Sequence, residues 1–170
     1  MKLRFPPDVL RPIEASQMER ARQDARSSPR HRAIVRFHDH DEAVQRMLNA
    51  VEPESYVRPH RHRSPDKTEV FVALSGRACV CRWNDAGELR ETLEIAAAGP
   101  RRGAEIPPGV WHSVVSLEAG TVLYEVIEGP FSEATHKQYA AWAPEEGSEA
   151  GRQFHETLRA RLLAGRPGAG

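Results

Sequence analysis

The sequence predicts a mainly β, single-domain protein, a sandwich or small barrel with short helices before it and one helix after it. Three observations support this fold class. The 170 residues are within the usual size of one domain. Thirteen prolines and twelve glycines divide the chain into short segments. About six or seven of these segments are rich in β-branched, aromatic or alternating residues, which is typical of sandwiches and small barrels.

Residues 1–50 are predicted to form a helix and strand extension that packs on the barrel. The polar segment 13–27 predicts a short helix, and residues 32–37 (RAIVRF) predict a strand. Residues 41–48 (DEAVQRML) predict one or two further helical turns, with Asp41 as the N-cap.

Residues 51–130 are predicted to form the barrel core. Its strands alternate with segments such as Ser-Gly, Asn-Asp-Ala-Gly and Pro-Pro-Gly, which favour turns. The predicted strands cover residues 55–62, 68–75, 77–83, 89–96, 111–117 and 121–128. Cys79 and Cys81 lie two apart on one of these strands, and we interpret both as small buried apolar residues.

Residues 131–170 are predicted to form a lid segment and a closing helix. Residues 142–148 (WAPEEGS) are predicted to be a lid or a dimer contact. Apolar residues recur at helical spacing over 151–163, which predicts a helix on the outside of the barrel. The terminal residues 165–170 (GRPGAG) are predicted to be frayed.

Composition excludes several classes of function. The 24 Lys and Arg residues balance 24 Asp and Glu residues, so there is no basic excess for nucleic acid. No apolar run reaches the roughly 18 residues of a membrane helix. The first residues lack an apolar h-region and a small-residue cleavage site, so we do not expect secretion. We therefore expect a cytoplasmic protein that binds a small molecule, with a homodimer as one expectation for its assembly.

Histidines carry the main functional signal. His60 and His62 lie two apart on a predicted strand and face the same side. Glu69 begins the next strand, and His112 opens a later one. Three imidazoles and a carboxylate suit a divalent first-row ion such as Fe, Mn, Ni, Cu or Zn.

A second His-x-His pair, His38 and His40, lies at a predicted junction between loop and helix. No glutamate strand follows it, so capping is the preferred interpretation. Trp111 precedes His112 and should face away from the metal, into packing.

Four further residues are candidates for the pocket. Tyr56, Arg58 and Lys67 share alternation parity with the predicted ligands and would bind an anionic or hydroxylated substrate. An ion pair at the rim is the alternative for these residues. Glu125 would accept a hydrogen bond from a ligand imidazole, and its neighbour Tyr124 would face the other way.

The motifs resemble those of a known superfamily. HRHRSPDKTEVFVALSG resembles the first cupin motif through His60, His62, Glu69 and Gly76, and PPGVWH resembles the second, ending in His112. Six residues separate His62 from Glu69, where the general pattern has three or four. The resemblance implies a cupin jelly roll with these three histidines and Glu69 as metal ligands.

A narrower resemblance extends along most of the chain. RMLNAVEPESYVRPHRH, TVLYEVIEGPF and KQYAAWAPEEGS are similar to segments of the WbuC family of cupin-fold metalloproteins, which is associated with surface-polysaccharide (O-antigen) loci. The sequence departs from that family at Ile127, Phe131 and His136.

These observations favour a metalloprotein with one divalent transition metal that acts on a small polar or sugar-derived substrate. Whether the protein is an enzyme stays open, and the oxygenase and isomerase types are the candidates if it is one. Two alternatives stay open: a metal-free sugar isomerase or epimerase that uses the same histidines as acid and base, and a non-enzymatic module that binds a metabolite or metal.

Overall fold

Two antiparallel five-stranded sheets face each other, and a helix covers the outer face of each. The computed structural model describes residues 1–6 and 8–165. The elements are α1 (Ala15–Ser27), β1 (Arg32–Arg36), β2 (Val44–Val51), β3 (His60–Arg61), β4 (Glu69–Ser75), β5 (Arg77–Trp83), β6 (Leu89–Ala96), β7 (Gly103–Ile106), β8 (Trp111–Ser116), β9 (Thr121–Glu128), β10 (Gln138–Tyr139) and α2 (Glu149–Ala164). The predicted fold class is confirmed. Fraying is predicted for residues 165–170, and all of these except Gly165 lie outside the described residues.

The order of strands places the histidines of both motifs in one sheet and Glu69 in the other. The first sheet runs β1-β2-β9-β4-β7, and the second runs β10-β3-β8-β5-β6. The motif histidines are on or next to β3 and β8, whereas Glu69 begins β4 in the facing sheet. Between the sheets lies an apolar core of Phe71, Ala73, Ala78, Val80, Ile95, Ala104, Ile106, Val114 and Leu123.

Each helix contributes an apolar side to one sheet. Ala21 and Ala25 of α1 are fully buried against Val35, Leu48 and Val122 of the first sheet. Leu158 of α2, with Phe154 and Leu162 beside it, packs on the second sheet in a cluster that includes the buried thiols of Cys79 and Cys81. The predictions of a helix near the N-terminus, an outer closing helix and buried cysteines are therefore confirmed.

The helical turns predicted over residues 41–48 are wrong. Val44–Val51 form strand β2, which pairs with both β1 and β9. Met47 and Leu48 are both buried because a strand sends neighbouring side chains to opposite faces. Leu48 packs under α1, and Met47 faces the space between the sheets. When both faces of a strand are buried, apolar residues can recur at positions such as 44, 47 and 48, which is also the spacing of one face of a helix.

Other differences concern short strands. The segment predicted as a strand over 55–62 is regular only at His60–Arg61, whereas β7 and β10 have no apolar alternation that would predict them. All three pair over few residues, so their formation depends on their neighbours. The division of the chain at residues 50 and 130 stays a prediction. No helix among the described residues is long and apolar enough to cross a membrane.

Gly76 of the first motif is required by the backbone. Its φ of +67° lies in the left-handed region that favours glycine, and a Cβ there would stand 2.9 Å from Cα of Thr121. The turn between β4 and β5 therefore packs directly on the start of β9.

Candidate metal centre

The three motif histidines meet at one end of the space between the sheets. His60 and His112 are direct cross-strand partners on β3 and β8, with their rings 4.4 Å apart. His62 lies just beyond β3, and its carbonyl accepts a hydrogen bond from the backbone N–H of Gly109 at 3.0 Å. Gly109 has a φ of +74°, so the Pro-Pro-Gly turn ties the second motif to the first and aligns His112 with both histidines.

Glu69 reaches this group from the opposite sheet. Its Oε2 lies 2.8 Å from Nε2 of His112 and 3.3 Å from Nε2 of His62. Glu69 pairs with Ile106 on one side and Ile127 on the other, so neighbouring strands hold its backbone on both sides. The six-residue spacing after His62 therefore still delivers Glu69 to the histidines.

Each imidazole is oriented by a backbone carbonyl. Nδ1 of His60 lies 2.8 Å from the Arg58 carbonyl, Nδ1 of His62 lies 2.5 Å from the His136 carbonyl, and Nδ1 of His112 lies 2.9 Å from the Val110 carbonyl. Because a carbonyl only accepts, each Nδ1 donates, and a neutral ring then carries its lone pair on Nε2. The three lone pairs converge on one region, as in metal-binding histidines.

The converging atoms have no hydrogen-bond partner. Four ligand atoms, one from each of His60, His62, Glu69 and His112, lie within 4.8 Å of one another, and each of these residues is at most 3% exposed. All three Nε2 atoms and Oε2 of Glu69 are buried, and no group in residues 1–6 and 8–165 forms a hydrogen bond with them. The 2.8 Å contact between Glu69 and His112 thus joins two acceptors unless the ring is doubly protonated. A divalent cation fits this set of donors.

Protonation favours the same interpretation. Burial lowers the pKa of His60 well below its usual value, and the Lys137 ammonium lowers it further. Burial alone would raise the pKa of Glu69, but when the His112 and His62 rings are protonated, their hydrogen bonds and positive charge outweigh burial and hold this pKa well below its usual range. An ionised carboxylate beside a neutral imidazole is the state in which such residues bind metal.

Glu125 is buried on β9 near Glu69, but its hydrogen-bond donor among the described residues is an amide and not the predicted ligand imidazole. It is 7% exposed, and its Oε2 accepts a hydrogen bond from Nδ2 of Asn49 at 2.7 Å. Burial, with the nearby charge of Glu69, raises the pKa of Glu125 to about 8. Its neighbour Tyr124 faces outward, next to Phe37 under α1.

The other three pocket candidates contact backbone carbonyls. Nη2 of Arg58 donates to Ala140 at 3.3 Å, and Nζ of the buried Lys67 donates to Pro130 at 2.6 Å. The Tyr56 hydroxyl donates to Pro144 at 3.0 Å, and its ring lies beside Phe154 and His155 of α2. The structure therefore does not bring the Tyr56 side chain to the cluster.

Tyr56 instead lines a separate cavity of about 890 Å³ between α2 and the segment before β1. No cluster residue is among those that line this cavity. Arg30 and Arg32 on its wall both bind Glu146, at 2.5 and 2.6 Å. Glu146 belongs to the segment 142–148, and its role as a lid or dimer contact stays a prediction.

The second His-x-His pair does not converge. Nδ1 of the buried His38 accepts a hydrogen bond from the backbone N–H of Arg46 at 2.8 Å, whereas the exposed His40 lies 4.7 Å from the ring of Phe131. Trp111 lies in the outer cluster under α2 and donates from Nε1 to Asp85 at 2.7 Å, away from the metal ligands as predicted.

Sequence reasoning missed three residues next to the cluster: Asn49, His136 and Lys137. Oδ1 of Asn49 and Nδ1 of His136 are both buried without a hydrogen-bond partner among the described residues. Asn49 lies on β2, one residue beyond the segment 41–48 that was mistaken for helix. His136 and Lys137 precede the two-residue strand β10, whose sequence carries no strand pattern.

Comparisons with known proteins give one family model and several structures of similar fold. The family model described as "Domain of unknown function (DUF6016)" matches residues 13–95. No curated protein sequence matches the chain. The capsular polysaccharide assembling protein CapF from Staphylococcus aureus is similar in structure over 66% of this chain, with a TM-score of 0.53 and 17% identity. The matched region covers 32% of the CapF chain, so this chain spans about a third of that protein.

Two further solved structures show weaker similarity. A variant of oxalate decarboxylase from Bacillus subtilis is 20% identical over 57% of this chain and 24% of its own, with a TM-score of 0.45. KdgF from Halomonas sp. is 19% identical over 61% of this chain and 80% of its own, with a TM-score of 0.44.

The facing sheets, with the similarity to CapF, define a cupin fold. The buried cluster of three histidines and one glutamate inside this fold has the composition of a metal site.

Proposed function

We propose that this protein binds one divalent transition metal through His60, His62, Glu69 and His112. The observation that carries the proposal is the convergence of four buried acceptor atoms without a hydrogen-bond donor. A buried polar atom without a partner costs roughly 1–3 kcal/mol, so four of them together would be costly in a protein that held no cation there.

The chain's own residues prepare this site. The carbonyls of Arg58, Val110 and His136 hold the three rings in one tautomer, and burial keeps bulk water from the cluster. A bound divalent ion would supply a Lewis acid that polarises a substrate oxygen. Four protein ligands would leave one or two positions of a five- or six-coordinate ion for that oxygen.

We further propose that the substrate is small, polar and sugar-derived, and that the protein belongs to the WbuC family. Oδ1 of Asn49 and Nδ1 of His136 support a polar substrate, because each is buried and lacks a partner that a hydroxyl-bearing ligand would provide. The sequence resemblance supports a place in surface-polysaccharide metabolism, the field in which CapF is named. The cytoplasmic location and the homodimer stay predictions.

Metal analysis by mass spectrometry tests the site. We expect about one equivalent of a transition metal in the unmodified protein and less than a tenth of that in His60→Ala/His112→Ala, in line with loss of two ligands. The control is His38→Ala/His155→Ala, which removes two equally buried histidines outside the cluster and should retain the metal.

The opposite results favour the alternatives. Absence of metal after reconstitution, together with turnover of a nucleotide-linked sugar in chelator, would overturn the metal site and assign His60 or His112 as acid or base. Ligand-dependent stabilisation without turnover in any metal would instead indicate a binding module.

A further inference from the structure

We propose that Lys137 binds an anionic oxygen group of the substrate beside the metal cluster, so that the substrate is a small organic anion. This inference rests on the proposed function and adds the charge class of the ligand. It assigns a role to a lysine that the motifs do not include.

The pairing of β10 with β3 places Lys137 next to the ligands. Tyr139 is opposite His60, and Gln138 is opposite Arg61, so the same antiparallel register places residue 137 opposite His62. The backbone N–H of Ala140 donates to the Pro59 carbonyl at 2.9 Å, which continues this register at the other end of the strand.

Side chains along β10 alternate as a strand requires. Gln138 accepts a hydrogen bond from Nε of Arg61 at 2.8 Å, and Arg61 lies over the ring of Trp111 on the outer face. Tyr139 lies on the other face, with its ring 6.2 Å from the ring of His60. Lys137 has the parity of Tyr139 and therefore faces the cluster.

The ammonium group of Lys137 has no fixed partner. It forms no hydrogen bond and no ion pair within 4 Å of an acidic oxygen among the described residues, whereas Lys67 donates to a carbonyl and Lys2 pairs with Asp39. Burial lowers the pKa of Lys137, and the carboxylates of Glu69 and Glu125 act against that effect. A partly buried cation near two carboxylates but bound to neither is placed to bind a further anion.

The charges around the cluster also favour an anion. With a divalent ion present, the ion and Lys137 supply three positive charges, and Glu69 supplies one negative charge. Even with Glu125 ionised, the two carboxylates together supply only two negative charges. Arg30 and Arg32 lie close enough to influence Lys137, but both are engaged by Glu146. The net positive charge at the cluster therefore comes from the metal ion and Lys137, and it would attract an anion.

Calorimetric titration of the metal-loaded protein with malonate tests this inference, with malonamide as a neutral analogue and inorganic phosphate as a second anion. We expect malonate to bind, malonamide to bind at least tenfold more weakly, and Lys137→Met to weaken malonate binding at least tenfold. Lys137→Arg should restore affinity to within about threefold. Lys2→Met, which removes the same charge at an exposed ion pair, should bind malonate like the unmodified protein.

Equal malonate affinity in Lys137→Met and the unmodified protein, at equal metal content and an unchanged unfolding midpoint, would overturn the role of Lys137. Phosphate binding stronger than malonate binding would retain the role and identify the anionic group as a phosphate. If the unmodified protein binds no metal, that result overturns the proposed metal site but not the role of Lys137. Titration of the metal-free protein then decides the inference, because malonate binding that depends on Lys137 supports it and absence of binding overturns it.

Discussion

The space between the two sheets has a polar half and an apolar half, and the same strands build both. On three strands the character changes over two residues, from Glu69 to Phe71 on β4, from His112 to Val114 on β8 and from Glu125 to Leu123 on β9. Both halves are equally buried, so burial alone does not distinguish a core from a site.

The two halves contribute to the free energy of folding with opposite signs. Each large apolar side chain that is buried stabilises the fold by about 1.5–3 kcal/mol. Each buried polar atom without a partner destabilises it by roughly 1–3 kcal/mol. The apolar half therefore supplies stability, and the polar half is tolerated because the apolar half and the two helices hold the strands together.

The largest expected effect is in the apolar half. Phe71→Ala should reduce the free energy of unfolding by about 3–5 kcal/mol, because Phe71 is 4% exposed within the inner core. Urea denaturation of the metal-free variant measures this change. A loss below about 1 kcal/mol would contradict the assignment of stability to this half.

The second effect belongs to the polar half and depends on metal. At a free metal concentration one hundred times the Kd, binding to the folded state alone should raise the free energy of unfolding by about 2.7 kcal/mol. The same addition should leave His60→Ala/His112→Ala unchanged. Thermal unfolding with and without metal measures both, and equal stabilisation of the two proteins would show that the ion binds elsewhere.

The third effect tests whether the polar half is structural. In the metal-free protein, Glu69→Gln should change the free energy of unfolding by no more than about 1 kcal/mol, because an amide N–H can donate to a histidine Nε2. Metal affinity should fall at least tenfold in the same variant, measured by competition with a chelator. A loss of more than about 3 kcal/mol without metal would make Glu69 a structural residue.

The fourth effect lies outside both halves and concerns stability in acid. Burial lowers the pKa of His155, whose Nε2 contacts the Pro53 carbonyl at 2.7 Å. Below the ordinary value of 6.5, the unfolded chain therefore takes up a proton first, and stability falls as the pH falls. One proton changes stability by at most about 1.4 kcal/mol per pH unit.

His155→Gln should therefore lose stability less steeply than the unmodified protein between about pH 6.5 and pH 5. Urea denaturation at a series of pH values measures the slope, with the exposed His40→Gln as control. An identical slope in His155→Gln and the unmodified protein would show that His155 does not contribute to acid sensitivity.

The motif residues could be predicted because their pattern is local. His60 and His62 share a face through the period of a strand, and the Pro-Pro-Gly turn sets the position of His112. The residues around them could not, because β3 and β10 have two residues each and form only by pairing. Lys137 is predictable only after β10 is known to lie opposite His62.

The sequence by itself determined the β-rich class and the outer helices, because alternation, helical spacing and turn residues act over a few neighbouring positions. It indicated the four residues of the cluster through their resemblance to the cupin motifs. Only the tertiary structure decided that Val44–Val51 form a strand, that Tyr56 contacts α2 and that Asn49 and Lys137 lie close to Glu125 and the cluster. Those outcomes depend on which strands pair across the two sheets, and strand pairing is a long-range property that the spacing of residues along the chain does not encode.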